Sequence, residues 1–170
     1  MMVVVSDASI LIHLAKVGLF HLLRSLYEEL MIAPGVYVEV VERGWGFPGS
    51  FETERAIKEN WVKLGNVSDR VRVRDLMRRY GISLGNAETI QLASEKKAEL
   101  ALADEAEVSA LLEEHGVKAR GCIGVLIEAA KKRIISTNQA KKGLRDLVDS
   151  GYRVGDTVLD QAYKLLGEEK

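Results

Sequence analysis

Residues 3–14 read VVVSDASILIHL, in which one aspartate interrupts the most hydrophobic stretch of the chain. The segment 2–5 is short and rich in β-branched residues, as in a buried strand. After it, apolar residues such as Ile10 and Leu14 recur at helical spacing. A buried strand that feeds directly into a helix is typical of an α/β sheet. Asp7 lies at the junction, where an isolated buried carboxylate is costly unless a partner, a cation or water compensates its charge.

The composition limits the class of protein. A length of 170 residues suits one domain, and 24 basic against 25 acidic residues give a net charge of −1, so an anionic ligand needs a local basic patch. The single cysteine, Cys122, excludes a disulfide framework and a cysteine-based zinc site within one chain. No apolar run approaches the roughly 18 residues of a membrane span, and no secretory signal is recognisable. We therefore expect a cytoplasmic protein with no membrane partner.

Short apolar strands alternate with helical patterns along the chain, which predicts an α/β fold with a mostly parallel sheet. The segment VYVEVVE at 36–42 is ambiguous, because β-branched residues at a period of two favour a strand on propensity alone. We predict a single domain over 1–170, with a C-terminal helical tail from about residue 138. Further strands are predicted at 31–33, 61–64, 100–103 and 117–119.

Four carboxylates fall where such a sheet binds ligands. Asp7 and Asp104 follow strands at their C-terminal ends, which is where ligands bind in open parallel sheets. Glu39 follows the second strand, and Glu88 lies in the first turn of a helix beginning near Asn86. Converging carboxylates repel unless a cation lies among them, and oxygen ligands suit Mg²⁺ or Mn²⁺. The pattern predicts metal-dependent phosphate chemistry.

Each acid also has a structural explanation. Asp7 is as readily a helix N-cap as a metal ligand. Asp104 with Glu107 forms a pattern like a capping box, and Glu88 near a helix N-terminus complements the macrodipole. Glu39 alone is a polar residue in an amphipathic segment. These alternatives stay open from the residues alone.

Other chemical groups give weaker signals. His13 and His21 lie beside leucines on helical faces and are expected to be packed or surface residues, since no His–carboxylate pairing accompanies them. The basic helix predicted over 70–80 could contact phosphates, although such runs are usually solvated helix faces. Ser83 has no GxSxG setting and Cys122 has no nearby His, so a nucleophilic triad has little support.

The ordered series of motifs resembles the PIN-domain superfamily, and within it the DUF3368-type proteins related to VapC toxins. VVSDASILIHLAKVGLFHLL is similar to the family's opening strand, acid, hydroxyl residue and helix, and IAPGVYVEVV, LGNAETIQLA and LALADE follow in order. VKARGCIGVLIEAAKKRII and LRDLVDSGYRVGD are similar to the closing strand and helices. The resemblance implies a three-layer α/β/α PIN-like fold in which the ambiguous segment is helical.

The resemblance also implies a ribonuclease that depends on Mg²⁺ or Mn²⁺. Its catalytic residues would be Asp7, Glu39, Glu88 and Asp104; the metal ligands among them would be Asp7, Glu88 and Asp104, with Ser9 as a supporting hydroxyl. An RNA substrate, a small antitoxin partner and a homodimer are implied as well. The alternative is a catalytically inactive PIN-like module that binds RNA or protein. A phosphorylated receiver domain ranks last, because SDAS offers only one acid.

Two positions depart from the family pattern. The loop before Glu88 often reads Gly-Glu-Ala-Glu, whereas Asn86 replaces the first acid here, which either weakens metal binding or leaves it unaltered. The Thr expected after Gly121 is Cys122, which we expect in a packed helix start with little bearing on chemistry. We also expect Asp7 to be open to a metal-bearing cleft, with its apolar neighbours buried.

Overall fold

The computed structural model describes residues 2–167, in which five strands form one parallel sheet in the order β3-β2-β1-β4-β5. The strands are β1 (Val4–Ser6), β2 (Leu30–Ile32), β3 (Val62–Leu64), β4 (Leu100–Leu102) and β5 (Lys118–Arg120). The helices are α1 (Ala8–Lys16), α2 (His21–Tyr27), α3 (Pro34–Tyr37), α4 (Ser50–Lys58), α5 (Arg70–Tyr80), α6 (Leu84–Glu95), α7 (Ala106–Glu114), α8 (Cys122–Lys131), α9 (Thr137–Asp149) and α10 (Asp156–Leu165).

Strand β1 lies at the centre of the sheet, where Val5 pairs with Met31 of β2 and with Ala101 of β4. Helices α1, α2, α4, α8 and α9 pack together, and α5, α6 and α7 form a second packed group. The sheet is flanked by helices, which confirms the predicted three-layer α/β/α fold. Val4 and Ile10 are buried as expected.

The ambiguous segment at 36–42 is helical, as the resemblance implies and against its strand propensity. Pro34 is the first residue of α3, and the helix continues as a π-helical turn at Val38–Glu42. Val36 and Val40 are buried one turn apart, so tertiary burial outweighs the preference of β-branched residues for strands. π-helical turns are frequent at functional sites.

Two helix starts differ from the sequence interpretation. Helix α6 begins at Leu84, because the Ser83 side chain caps it by accepting a hydrogen bond from the Asn86 N–H. Glu88 therefore lies in the second turn rather than the first. The N-cap of α7 is Glu105, without a side-chain capping bond, so the capping-box interpretation of Asp104 is wrong.

The chain ends in two helices after α8, and the first begins with a capping box formed by Ser136 and Gln139. The prediction of one domain over 1–170 stays a prediction, and its outermost residues, Met1 and 168–170, lie outside the described residues. Between residues 2 and 167, no helix has the length and apolar character needed to cross a membrane.

Candidate active site

A cleft of about 570 Å³ opens beside the C-terminal ends of β1 and β4. It lies between the start of α1, the π-helical turn, the loop from α5 to α6 and the start of α7. Three of its lining residues are glutamates, and none is a lysine, arginine or histidine. The cleft therefore concentrates negative charge that no lining side chain neutralises. Its lining residues are Ala8, Ser9, Glu39, Tyr80, Gly81, Ile82, Ser83, Asn86, Glu105 and Glu107.

Asp7 lies behind this cleft and is fully buried, so the expectation that its side chain is open to the cleft is wrong. Its Oδ1 accepts the Ile10 N–H at 3.2 Å, and the Ser9 hydroxyl lies 2.9 and 3.0 Å from the two carboxylate oxygens. Asp7 is thus the N-cap of α1. Burial raises the pKa of its carboxyl to about 7, the two hydrogen bonds oppose that rise, and the charges of Asp104 and Glu105 add to it.

Glu39 and Glu105 face each other across the cleft from different elements. Glu39 lies on the π-helical turn, where partial burial and the negative charge of Glu105 raise the pKa of its carboxyl, while Arg43 lowers it. Glu105 accepts a 3.1 Å hydrogen bond from Nδ2 of Asn86, which also lines the cleft. Asn86 thus connects α6 to the start of α7.

Glu105 is a candidate site residue that the sequence reasoning missed. The sequence does contain a signal for Glu105, because the motif LALADE has two adjacent acids after the strand. Successive residues of an extended chain point to opposite sides. Only one of the two adjacent acids lines the cleft, and it is Glu105 rather than Asp104.

Glu88 is almost fully buried and does not line the cleft. Its Oε1 accepts the Gly35 N–H at 2.6 Å, and its Oε2 pairs with Nη1 of Arg70 at 2.6 Å. Both oxygens are therefore engaged by protein groups. The carboxylate ties α6 to α3 and α5, the elements that border the cleft.

Asp104 faces a different set of side chains. Its Oδ1 accepts the Cys122 N–H at 2.8 Å and the Tyr152 hydroxyl at 2.6 Å. Its Oδ2 lies 3.1 Å from Nδ1 of His13 and 3.2 Å from Sγ of Cys122. Burial by itself raises the pKa of Asp104, but the hydrogen bonds from His13, Tyr152 and Cys122 outweigh it and hold that pKa below its usual value.

Two sequence expectations are wrong at this point. His13 does pair with a carboxylate, and Cys122 does have a histidine nearby, since the ligand atoms of His13, Asp104 and Cys122 lie within 4.8 Å of one another. Cys122 was expected to matter little, yet both its N–H and its thiol contact Asp104. Its helix start is packed, as expected, because the residue is fully buried.

The cleft suits a hard divalent cation. The carboxylates of Glu39 and Glu105, the amide of Asn86 and the hydroxyl of Ser9 offer oxygen ligands, which Mg²⁺ and Mn²⁺ prefer. Within residues 2–167, no cationic side chain is among the hydrogen-bond partners of the buried Asp7 carboxylate behind them. A bound cation would offset the repulsion among these acids.

Comparison with known families identifies the fold. The family model DUF3368, described as a PIN domain, matches residues 3–168. The chain belongs to this PIN-domain family. PIN domains as a superfamily are nucleases, and the acidic cleft of this PIN domain lies beside the ends of the two central strands. No curated protein matches the chain.

Proposed function

We propose that this PIN domain is an endoribonuclease that hydrolyses phosphodiester bonds with Mg²⁺ or Mn²⁺. The observation that carries the proposal is the cleft, which Glu39 and Glu105 line together with no basic side chain, in front of the buried Asp7 carboxylate. Membership of a nuclease superfamily supports it. A structural cluster of acids would instead be paired with cations, as Glu88 is with Arg70.

In this proposal Glu39 and Glu105 would hold the cation from the cleft. The buried Asp7 would join them through Oδ2, whose hydrogen-bond partner within residues 2–167 is the hydroxyl of Ser9, a residue that itself lines the cleft. When bound, the cation supplies an activated water and neutralises the charge that develops on the phosphate. Ser9 positions Asp7, because its hydroxyl contacts both carboxylate oxygens. Asn86 orients Glu105 through its amide and lowers the negative charge of the cleft compared with the acid usual in the family.

Glu88 and Asp104, which the resemblance implies as site acids, act as positioning residues in this proposal. Glu88 fixes α6 against α3, whose π-helical continuation carries Glu39. Asp104 is anchored to the start of α8 and immediately precedes Glu105. Neither has a carboxylate oxygen free of protein partners.

The side chains on helix α5 are a second argument that the substrate is RNA. It carries exposed arginines and ends at Tyr80, which lines the cleft. Arg74 and Arg78 make no ion pair within residues 2–167, so both are free to contact phosphates. Tyr80 is 37% exposed, and an aromatic ring at this place can stack on an unpaired base.

The resemblance to VapC toxins supports a narrower role as the toxin of a toxin–antitoxin pair. In that role the protein acts on RNA in the cytoplasm, forms a homodimer and is silenced by a small antitoxin. A short open reading frame beside the gene, whose product relieves growth arrest on co-expression, is the expected finding. Growth that continues on expression of the active enzyme alone would contradict the toxin role.

The second candidate is a PIN-like module that binds RNA or protein without catalysis. Asn86 favours it, because an amide stands in the cleft where the family pattern has a carboxylate. One fewer anionic ligand weakens the attraction for a divalent cation. Binding of Mn²⁺ separates the two candidates.

The test is cleavage of a labelled single-stranded RNA by the metal-depleted full chain after addition of Mn²⁺ or Mg²⁺. Glu39→Gln, Glu105→Gln and Asp7→Asn are each expected to lower the rate at least 100-fold, which corresponds to about 2.7 kcal/mol in activation free energy. The matched control is Glu114→Gln, an exposed acid at the far end of α7, with an unchanged rate expected. Folded protein that neither binds Mn²⁺ by calorimetry nor cleaves RNA would refute the nuclease, and retention of the RNA without cleavage would establish the binding module.

A further inference from the structure

A second cluster of side chains with metal-ligand chemistry lies next to the acidic site but outside the lining of its cleft. His13 on α1, Asp104 after β4 and Cys122 at the start of α8 offer one nitrogen, one oxygen and one sulfur atom within 4.8 Å of one another. These residues are not among those that line the acidic cleft. The fold thus assembles this cluster from three separate parts of the chain.

We propose that His13, Asp104 and Cys122 form a binding site for Zn²⁺ or a similar borderline divalent metal. Imidazole nitrogen, thiolate sulfur and carboxylate oxygen are the ligands of protein zinc sites, whereas Mg²⁺ avoids sulfur. The composition excludes a zinc site built from several cysteines. A site with one cysteine, one histidine and one aspartate needs only the thiol that the chain has.

Two of the three distances between ligand atoms are close to those of a tetrahedral centre. Metal–ligand bonds of about 2.0–2.3 Å place neighbouring ligand atoms roughly 3.3–3.6 Å apart. Oδ2 of Asp104 lies 3.1 Å from Nδ1 of His13 and 3.2 Å from Sγ of Cys122. These two distances are within a few tenths of an ångström of those in a metal centre, and the third, between His13 and Cys122, is at most 4.8 Å.

The surrounding groups orient the Asp104 carboxylate for monodentate coordination of the metal. The Cys122 N–H and the Tyr152 hydroxyl both donate to Oδ1, which directs Oδ2 toward His13 and the thiol. The ring of Tyr152 also packs edge-on against the His13 ring, with the centroids 5.1 Å apart. Partners of this kind orient metal ligands and tune their affinity.

One of the three ligands, Asp104, lines a separate pocket. A cavity of about 470 Å³, lined by Asp104, Gly121 and Tyr152, runs under α10 and shares no lining residue with the acidic cleft. In this proposal a water molecule on the Asp104 side supplies the fourth ligand. As the metal–sulfur bond forms, the Cys122 thiol releases its proton to solvent, and His13 binds through Nδ1 with its ring proton on Nε2.

The test is a Co²⁺ titration of the reduced, metal-depleted full chain. Cys122 is the only cysteine, so a thiolate-to-cobalt charge-transfer band reports this one side chain. We expect the band to saturate at one equivalent of Co²⁺ and to disappear when one equivalent of Zn²⁺ is added. Cys122→Ser should abolish the band, and His13→Gln should weaken Co²⁺ binding at least tenfold.

Glu39→Gln is the control that separates this site from the nuclease proposal, and it should keep the full band. Zn²⁺ should also raise the Tm of the wild type but not of His13→Gln, since a ligand stabilises the state that binds it. This second variant keeps the test valid if Cys122→Ser fails to fold. A folded wild type without the band, or a band unchanged in His13→Gln, would overturn the proposal.

Discussion

The Gly35 N–H donates a 2.6 Å hydrogen bond to Oε1 of Glu88, and this contact joins the helix that leads to Glu39 with the helix that carries Asn86. This hydrogen bond forms because α3 and α6 approach each other closely at Gly35 and Gly85. A Cβ atom at residue 35 would lie 2.7 Å from Oε1 of Glu88 and 3.2 Å from Cα of Gly85. The geometry of the acidic cleft therefore depends on the absence of a side chain at Gly35.

We expect Gly35→Ala to lower the free energy of unfolding by about 1–3 kcal/mol, because backbone and a buried carboxylate must both move. Urea unfolding measures the change. The control is Gly155→Ala, where an added Cβ meets nothing within 4 Å; because Gly155 is the N-cap of α10, a loss below about 1 kcal/mol is expected. Equal decreases in the free energy of unfolding of the two variants would show that the close approach of α3 to α6 does not contribute to stability.

The raised pKa of Asp7 predicts that the metal-free protein loses stability as pH increases. The folded carboxyl titrates near pH 7, whereas its ordinary value is 3.8, so the folded state binds more protons between these values. The free energy of unfolding then falls with rising pH across this window and levels off above it, by on the order of 4 kcal/mol.

Urea unfolding of wild type and Asp7→Asn at pH 4.5 and 8 isolates this effect. The amide keeps a side-chain acceptor for the Ile10 N–H but does not titrate, so the wild type should lose more stability than the variant across that range. The three histidines are common to both proteins and cancel in the comparison. A saturating Mn²⁺ concentration should reduce the difference, since a bound cation keeps Asp7 ionised. Parallel pH profiles without metal would refute the prediction.

Restoring an acid at position 86 should strengthen cation binding in the cleft. Asn86→Asp adds a charge to the residues that line it and removes the amide that donates to Glu105. We expect the Kd for Mn²⁺ to fall by about tenfold, or about 1.4 kcal/mol, measured by calorimetry. Ser83→Asp changes the charge at a neighbouring lining residue and should have a smaller effect. An unchanged or higher Kd in Asn86→Asp would argue against a cation beside this residue.

The Tyr152 hydroxyl should contribute measurably to stability. Tyr152→Phe keeps the ring against His13 and loses the 2.6 Å hydrogen bond to Asp104. Because the acceptor is a buried carboxylate, we expect a loss of about 1–3 kcal/mol in the free energy of unfolding. Tyr163→Phe on α10 is the control, with a change within about 0.5 kcal/mol. If the two variants have the same free energy of unfolding, the hydrogen bond from Tyr152 to Asp104 does not contribute to stability.

Much of the fold could be predicted because hydrophobic pattern and chain breakers agree along most of the sequence. The bounds of α5 match its prediction, and β3 starts one residue later than predicted. The segment 36–42 could not be assigned from its residues, because burial of Val36 and Val40 depends on packing that propensity does not contain.

The candidate site was less predictable, because it depends on where side chains point once a strand has ended. Asp7 drew attention through its charge in an apolar stretch, and it is indeed buried there. Asp104 and Glu105 are adjacent in sequence yet face different pockets, which no spacing rule separates. The contact between His13 and Asp104 joins two distant segments and exists only after tertiary folding.

The central position of β1 sets the order in which the protein can be assembled during synthesis. Val5 pairs with Ala101, so the first strand to leave the ribosome must wait for much of the chain before its second neighbour exists. Contacts of such sequence separation also slow folding, because the chain must close a long loop before the contacts form. A nascent chain therefore has no acidic cleft until Glu105 has emerged, and a translation product that stops before β4 would lack the cleft entirely.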